Sequence, residues 1–267
     1  MRNKHSGKTA NFNTAFVGRQ PIYERSLKVF GYELLFRNSQ VNKASFTDGD
    51  AATAQVMLNT FIEIGLDHIV DQHLAFINLT RDFVLGNFCM ALPKNRVVLE
   101  VIENLDVDQE LIDALRRLSN LGYRIALDDF VYHESLKPLV ELADIIKVDV
   151  LELDRASIEK HVGILRQYPV KLLAEKVETY EDFEFCRELG FDYFQGYFFC
   201  KPNVIAGKPL SANRMALLAQ MHDPALKTCE HERILNEDLS LSPQALRYMN
   251  SIILVMTKQE DSINEAN

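Results

Sequence analysis

Acidic, amide and lysine side chains recur at the ends of short apolar runs in this sequence. Glu33 closes the apolar part of KVFGYELLF, Asn78 that of LAFINLT, Glu100 that of VVLEVIE, and Asp128 with Asp129 that of YRIALDDF. Lys147 stands in DIIKVDVL, Glu175 in VKLLAEKVE and Gln195 in DYFQGYFF. Carboxylate and amide oxygens are hard ligands, suited to Mg²⁺ or Mn²⁺ and not to the zinc and copper sites built from His and Cys. No histidine recurs at a strand end beside them. Carboxylates brought together repel one another unless a cation sits among them. With this many acidic groups there is room for two ions about 3.5 to 4 Å apart, the arrangement that hydrolyses phosphate esters, and adjacent aspartates are a natural bridge.

Each residue taken singly has a plainer reading. A strand-end Glu can be a solvated loop residue, LDDF a turn or helix N-cap, Lys147 a snorkelling surface lysine, and Gln195 the residue that closes a turn before Gly196. Lys147 would also serve as the Schiff-base lysine of an aldolase-like barrel.

These residues need elements to bring them together. AFVGRQPIY and KVFGYELLF read as a strand pair turning at ERSL, and the six later runs are rich in β-branched or aromatic residues and short enough for strands. Helical patterns lie between most of them: TAQVMLNTFIEIG, DQELIDALRRLSNLG, SLKPLVELA, RASIEKHVGILRQY and YEDFEFCRELG. Gly65, Gly122 and Gly190 stand where helix C-caps belong. About eight alternating units predict a closed α/β barrel, in which strand ends converge on one active face.

Composition narrows the function classes. The 267 residues are 47% hydrophobic, enough to bury a barrel-sized core. The net charge of −9 argues against a DNA- or RNA-binding surface. No apolar run reaches the roughly 18 residues of a membrane span, and the polar opening MRNKHSGKTANFNT lacks a signal-peptide core, so a cytoplasmic protein is expected. Cys89, Cys186, Cys200 and Cys229 follow no metal or redox spacing.

QPIY, GYELLFR, FINLT, LEVIE, ALDDF, IKVDV, AEKVET and FQGYFF, followed by Lys201 and Pro202, resemble in order the motifs of the EAL-domain family, phosphodiesterases of the second messenger cyclic di-GMP. The resemblance covers roughly residues 15 to 205, after a flexible leader over 1–14. It implies a modified TIM-type (βα)8 barrel with one antiparallel strand. It also implies hydrolysis of cyclic di-GMP to linear pGpG with Mg²⁺ or Mn²⁺, two ions if active. Glu33, Asn78, Glu100 and Asp128 match the family's metal ligands, with Asp129 on the second ion. Lys147 matches the lysine that orients or activates the attacking water, and Glu175 the glutamate that supports the metal-site loop and second ion. Arg37 matches a phosphate contact, while Gln20 and Gln195 would lie along the dinucleotide.

The chain also departs from that pattern. The signature reads Glu33-Leu34-Leu35 without its alanine, Ile102 stands in place of threonine, and Lys176 in place of glycine. The Gly-rich, Ser-containing loop that follows the family's aspartate pair is replaced by VYHESLKPL, where His133 and Glu134 offer other ligand atoms. The alternative function is therefore a degenerate domain that senses cyclic di-GMP or binds a partner protein such as a motility regulator. NVIAGKPLS reads as a linker, NRMALLAQMHDP as a helix, and DLSLSPQALRYMNSIILV resembles the opening of an HDOD domain. The wording of the motifs resembles the branch in which an EAL domain precedes such a domain, here truncated over 206–267. An exposed apolar helix pair there would favour a homodimer.

Overall fold

The computed structural model describes residues 16–36, 53, 56, 60, 64–86, 92–101 and 107–206. Strands β1 (Phe16–Glu24) and β2 (Val29–Phe36) form an antiparallel hairpin. Then follow β3 (Leu74–Leu79), β4 (Val97–Val101), β5 (Arg124–Leu127), β6 (Ile145–Asp149), β7 (Lys171–Glu175), β8 (Tyr193–Phe194) and β9 (Asn203–Ala206). Strands β2 to β8 run parallel, each beside the next, and β1 closes the ring by pairing antiparallel with both β2 and β8. The result is the expected eight-stranded α/β barrel with one antiparallel strand. Outside the ring, β9 pairs antiparallel with the start of β1. NVIA is thus a strand and not the start of a linker: four residues carry too little periodicity to separate the two.

The helices among the described residues are α1 (Leu66–Val70), α2 (Arg81–Leu85), α3 (Gln109–Asn120), α4 (Lys137–Val140), α5 (Arg155–Leu165) and α6 (Tyr180–Glu188). In α3, Leu111, Ala114, Leu115 and Leu118 are buried, the i, i+3, i+4, i+7 stripe of a helix lying on a sheet. Asp108, Asp154 and Thr179 cap α3, α5 and α6 by accepting from the backbone N–H groups of Leu111, Ser157 and Asp182. Gly122 and Gly190 follow α3 and α6 with positive φ, as expected of C-caps. SLKPLVELA is helical over its first six residues, a 3-10 turn over 134–136 running into α4. The predicted helix TAQVMLNTFIEIG falls mostly outside the described residues, as do Arg37, Ile102 and everything after residue 206. No helix among the described residues is long and apolar enough to cross a membrane.

The inside of the barrel has an apolar floor and a polar mouth, and the two-residue strand period accounts for both. Phe76, Val98, Ala126, Ile145 and Leu173 pack with Ile22 in one buried cluster. Two residues further along the same strands, on the same face, stand Asn78, Glu100, Asp128, Lys147 and Glu175. In β1, which runs the other way, Gln20 comes two residues before Ile22. Gly31 in β2 leaves space for the Phe76 ring, which a Cβ there would meet at 2.9 Å, and Glu33 follows two residues later at the mouth.

Candidate active site

At the centre of the mouth is the Lys147 ammonium. It is 0% exposed and lies 2.6 Å from Asp128 Oδ1, 2.8 Å from Glu100 Oε1, 2.8 Å from Glu175 Oε1 and 3.9 Å from Glu33 Oε2. Lys147 Nζ is thus the charge partner of Asp128 Oδ1, Glu100 Oε1 and Glu175 Oε1, while Glu100 Oε2 is buried without a hydrogen-bond partner. The ammonium therefore acts as a point charge among carboxylates. Such oxygens are what a cation site requires.

Burial alone would lower the Lys147 pKa, but Asp128, Glu100, Glu175 and Glu33 outweigh it and hold the ammonium well above its ordinary range. A Schiff-base lysine needs the reverse, a readily deprotonated amine, and the surface reading fails on burial. Burial pushes the Glu100 and Glu175 carboxyls well above the carboxylate range, and Lys147 offsets this only in part. Asp128 is less enclosed, and there the charge of Lys147 overcomes burial and lowers the pKa.

Amide donors fix the remaining carboxylate. Glu33 Oε2 accepts from Gln195 Nε2 at 2.6 Å and Glu33 Oε1 from Asn78 Nδ2 at 3.3 Å. Gln20, opposite Glu33 in the β1–β2 register, donates through Nε2 to the Cys200 carbonyl at 3.2 Å. The structure thus gathers Gln20, Glu33, Asn78, Glu100, Asp128, Lys147, Glu175 and Gln195 at one mouth, with Asp129 on its rim. One carboxylate oxygen each from Asp128, Asp129 and Glu175 lies within 4.8 Å of the others, a donor set that fits a hard divalent ion. Glu33, Asn78 and Glu100 are not in that tight group and connect to it through Lys147 and through one another.

A cavity of about 340 Å³ opens over these groups, bordered by Gln20, Glu33, Asp128, Asp129, Glu175, Gln195, Leu151 and Tyr197. Its size falls within the range of small-molecule sites. Gly196 shapes its edge: a Cβ there would stand 2.1 Å from the Val177 carbonyl oxygen and 2.3 Å from the Val177 nitrogen. Only glycine lets the turn after β8 lie against the turn after β7, where Val177 N–H donates to Gln195 O and Phe198 N–H to Val177 O.

Two site residues escaped assignment from sequence. Asp149 is 7% exposed, and its Oδ1 accepts from the Leu151 and Glu152 backbone N–H groups. Lys176 reaches over the cavity to pair with Asp149 and lies 3.5 Å from Asp129 Oδ1. The two-residue period that places Lys147 inside also places Asp149 there, so that signal was available. In the rewritten loop, His133 Nδ1 accepts from Ser135 N–H and Glu134 accepts from the Tyr132 hydroxyl, so both turn back onto their own segment. The loop is anchored by buried His161, whose Nε2 accepts from Tyr132 N–H at 3.2 Å.

The chain is 33% identical over 262 residues to the uncharacterized protein YuxH of Bacillus subtilis, covering 94% of this chain and 63% of that one. It is 32% identical over 245 residues to the cyclic di-GMP phosphodiesterase CdgJ of Vibrio cholerae, covering 90% of this chain and 57% of that one. It therefore spans about three fifths of the length of these relatives. Its fold matches BlrP1 of Klebsiella pneumoniae, solved with manganese and cyclic di-GMP, at a TM-score of 0.58 and 22% identity over 77% of this chain and 59% of that one. The EAL domain family profile matches residues 11–202, from before β1 to beyond β8. The stretch that builds the closed barrel and its acidic mouth is thus the stretch that the family shares, and the chain belongs to the EAL domain family.

Proposed function

We propose that this barrel hydrolyses cyclic di-GMP to linear pGpG with a divalent metal, at full or reduced rate. The observation that carries the reading is the buried Lys147 ammonium ringed by Glu33, Glu100, Asp128 and Glu175, with Asp128, Asp129 and Glu175 poised to share one ion. A binding module would have little use for so many buried charges.

In this reading Asp128, Asp129 and Glu175 hold Mg²⁺ or Mn²⁺, with Glu33, Asn78 and Glu100 completing the ligand set. The metal supplies Lewis-acid stabilisation of charge developing on the phosphodiester. Lys147 orients the attacking water and keeps the carboxylates from repelling one another. Gln20 and Gln195 align the dinucleotide along the cavity, and Arg37 meets a phosphate. The reading further takes the barrel domain as residues 15–205 between a leader and a C-terminal segment, in the branch with an HDOD domain. It takes the protein as a cytoplasmic homodimer. The return of β9 onto β1 supports a domain edge near residue 206.

A second reading, a domain that binds cyclic di-GMP or a partner protein without turnover, draws support from Lys176, whose charge lies against Asp129. One experiment separates the two. Purified protein is incubated with cyclic di-GMP and Mg²⁺ or Mn²⁺, linear product is followed by chromatography, and Glu33→Ala is run in parallel with a binding titration of both proteins. Product that disappears in Glu33→Ala supports the phosphodiesterase. Binding without product supports the sensor, and neither would move the search to protein partners.

A further inference from the structure

Lys176 is held in a conformation that its own backbone disfavours. Its φ is +56°, in the left-handed region, and Asp129 across the cavity has φ +44°. The next residue is locked on both sides, Val177 N–H donating to Gln195 O and Val177 O accepting from Phe198 N–H, each at 3.0 Å. The turn thus directs the side chain inward over the acidic mouth. There the ammonium pairs with Asp149 Oδ2, while Asp149 Oδ1 is tied to two backbone N–H groups. It also faces Asp129 Oδ1 at 3.5 Å. Deeper in the mouth, fully buried Glu100 keeps Oε2 without a hydrogen-bond partner, an acceptor left open beside these ion pairs.

We propose that the Lys176 ammonium is a tethered cation that takes the place of a second divalent ion between Asp129 and Asp149, so that this chain holds one divalent ion. This rests on the metal-binding part of the function proposed above. A lysine at a left-handed position is strained, and strain persists where the surroundings impose it, commonly at working sites. An ammonium carries half the charge of a divalent ion and cannot bridge two ligands at short metal distances. The metal cluster then has one exchangeable member and one built into the chain.

The test counts ions without nucleotide. The full chain, stripped of metal, is titrated with Mn²⁺, and free Mn²⁺ is read by electron paramagnetic resonance. Wild type is expected to bind one Mn²⁺ per chain, Lys176→Gly two, and Lys176→Arg, which keeps the charge, one. Glycine is at ease at positive φ, so the first variant is expected to fold with an unchanged or higher Tm. Two ions on wild type, one on Lys176→Gly, or none on either overturns the proposal. Hydrolysis followed on the same preparations separates the two readings: one ion on wild type and two on Lys176→Gly without product would sink the phosphodiesterase and leave the tethered cation standing.

Discussion

Two glycine-to-alanine substitutions test how the mouth is held together. At Gly196 a methyl group would stand 2.1 Å from Val177 O and 2.3 Å from Val177 N. Ordinary carbon contacts begin near about 3.5 Å, so the two turns must part by roughly 1 Å. Both obstacles are backbone and cannot swing aside. Forced separation of packed segments costs about 1 to 3 kcal/mol. Loss of the Val177–Gln195 and Val177–Phe198 hydrogen bonds adds about 1 kcal/mol each. The expected destabilisation is about 4 kcal/mol, which for a chain of this size is a fall in Tm of about 8 to 16 °C. Gly163 is the matched control: it lies on an exposed turn of α5, and a Cβ there has nothing within 4 Å. Alanine at this position should stabilise by about 0.5 to 1 kcal/mol. Thermal melts of the two variants against wild type decide the matter. A Gly196→Ala protein that melts within 2 °C of wild type (an instrumental margin of about half a kcal/mol) would refute the close-packed account of the β7 and β8 turns.

Replacing Lys147 with Met leaves buried carboxylates without their cation and is expected to cost about 3 kcal/mol in metal-free protein, read by denaturant unfolding. Added Mn²⁺ should recover more stability in that variant than in wild type, and an unchanged unfolding midpoint would contradict the role given to the ammonium. On the phosphodiesterase reading, hydrolysis by Glu100→Gln should fall by at least about tenfold, since losing a carboxylate that would hold the metal beside the reacting phosphate costs more than about 1.4 kcal/mol. Stability should also respond to acid through His161, whose pKa is lowered by burial. The unfolded chain takes up a proton there near pH 6.5 while the folded chain resists, so stability present above pH about 6.5 is lost as pH falls through the lowered value. His161→Gln keeps an acceptor for Tyr132 N–H and cannot titrate, so the melting temperature of this variant should fall less between pH 7 and pH 5.

Much of the barrel was legible because parallel strands buried on both faces leave short apolar runs, as in VVL of β4 and LLA of β7. The mouth was legible for a related reason: a polar residue two places beyond an inward apolar one has nowhere to go but the same face. The charge balance was not legible. That Lys147 sits among four carboxylates depends on neighbouring strands in register, such as Lys147 beside Leu173 and Asp149 beside Glu175. Lys176 was visible as an odd residue, but its reach to Asp129 follows from a left-handed turn that sequence does not reveal. DYFQGYFF was read as a longer strand than β8, which has two residues, because Gly196 turns the chain away. The aromatic run beyond it packs against α6 instead, with Phe199 edge-on to Phe183 at 5.4 Å.

Strand β1 has three partners, and its first residues lie between β2 and β9: Arg19 pairs with Leu34 on one side and Asn203 on the other, and Phe16 pairs with Ala206. The first and last strands of the barrel domain therefore complete one another, with nearly the whole domain lying between them in sequence. At about 5 to 20 residues per second, a ribosome needs roughly 10 to 40 s to synthesise that span. Until then β1 can pair with β2 but has neither β8 nor β9, and the barrel stands open along one seam. Folding of this domain is consequently a late event with a high loop-closure cost, and the nascent chain presents an unpaired strand edge that a chaperone, or a second nascent copy, can engage first.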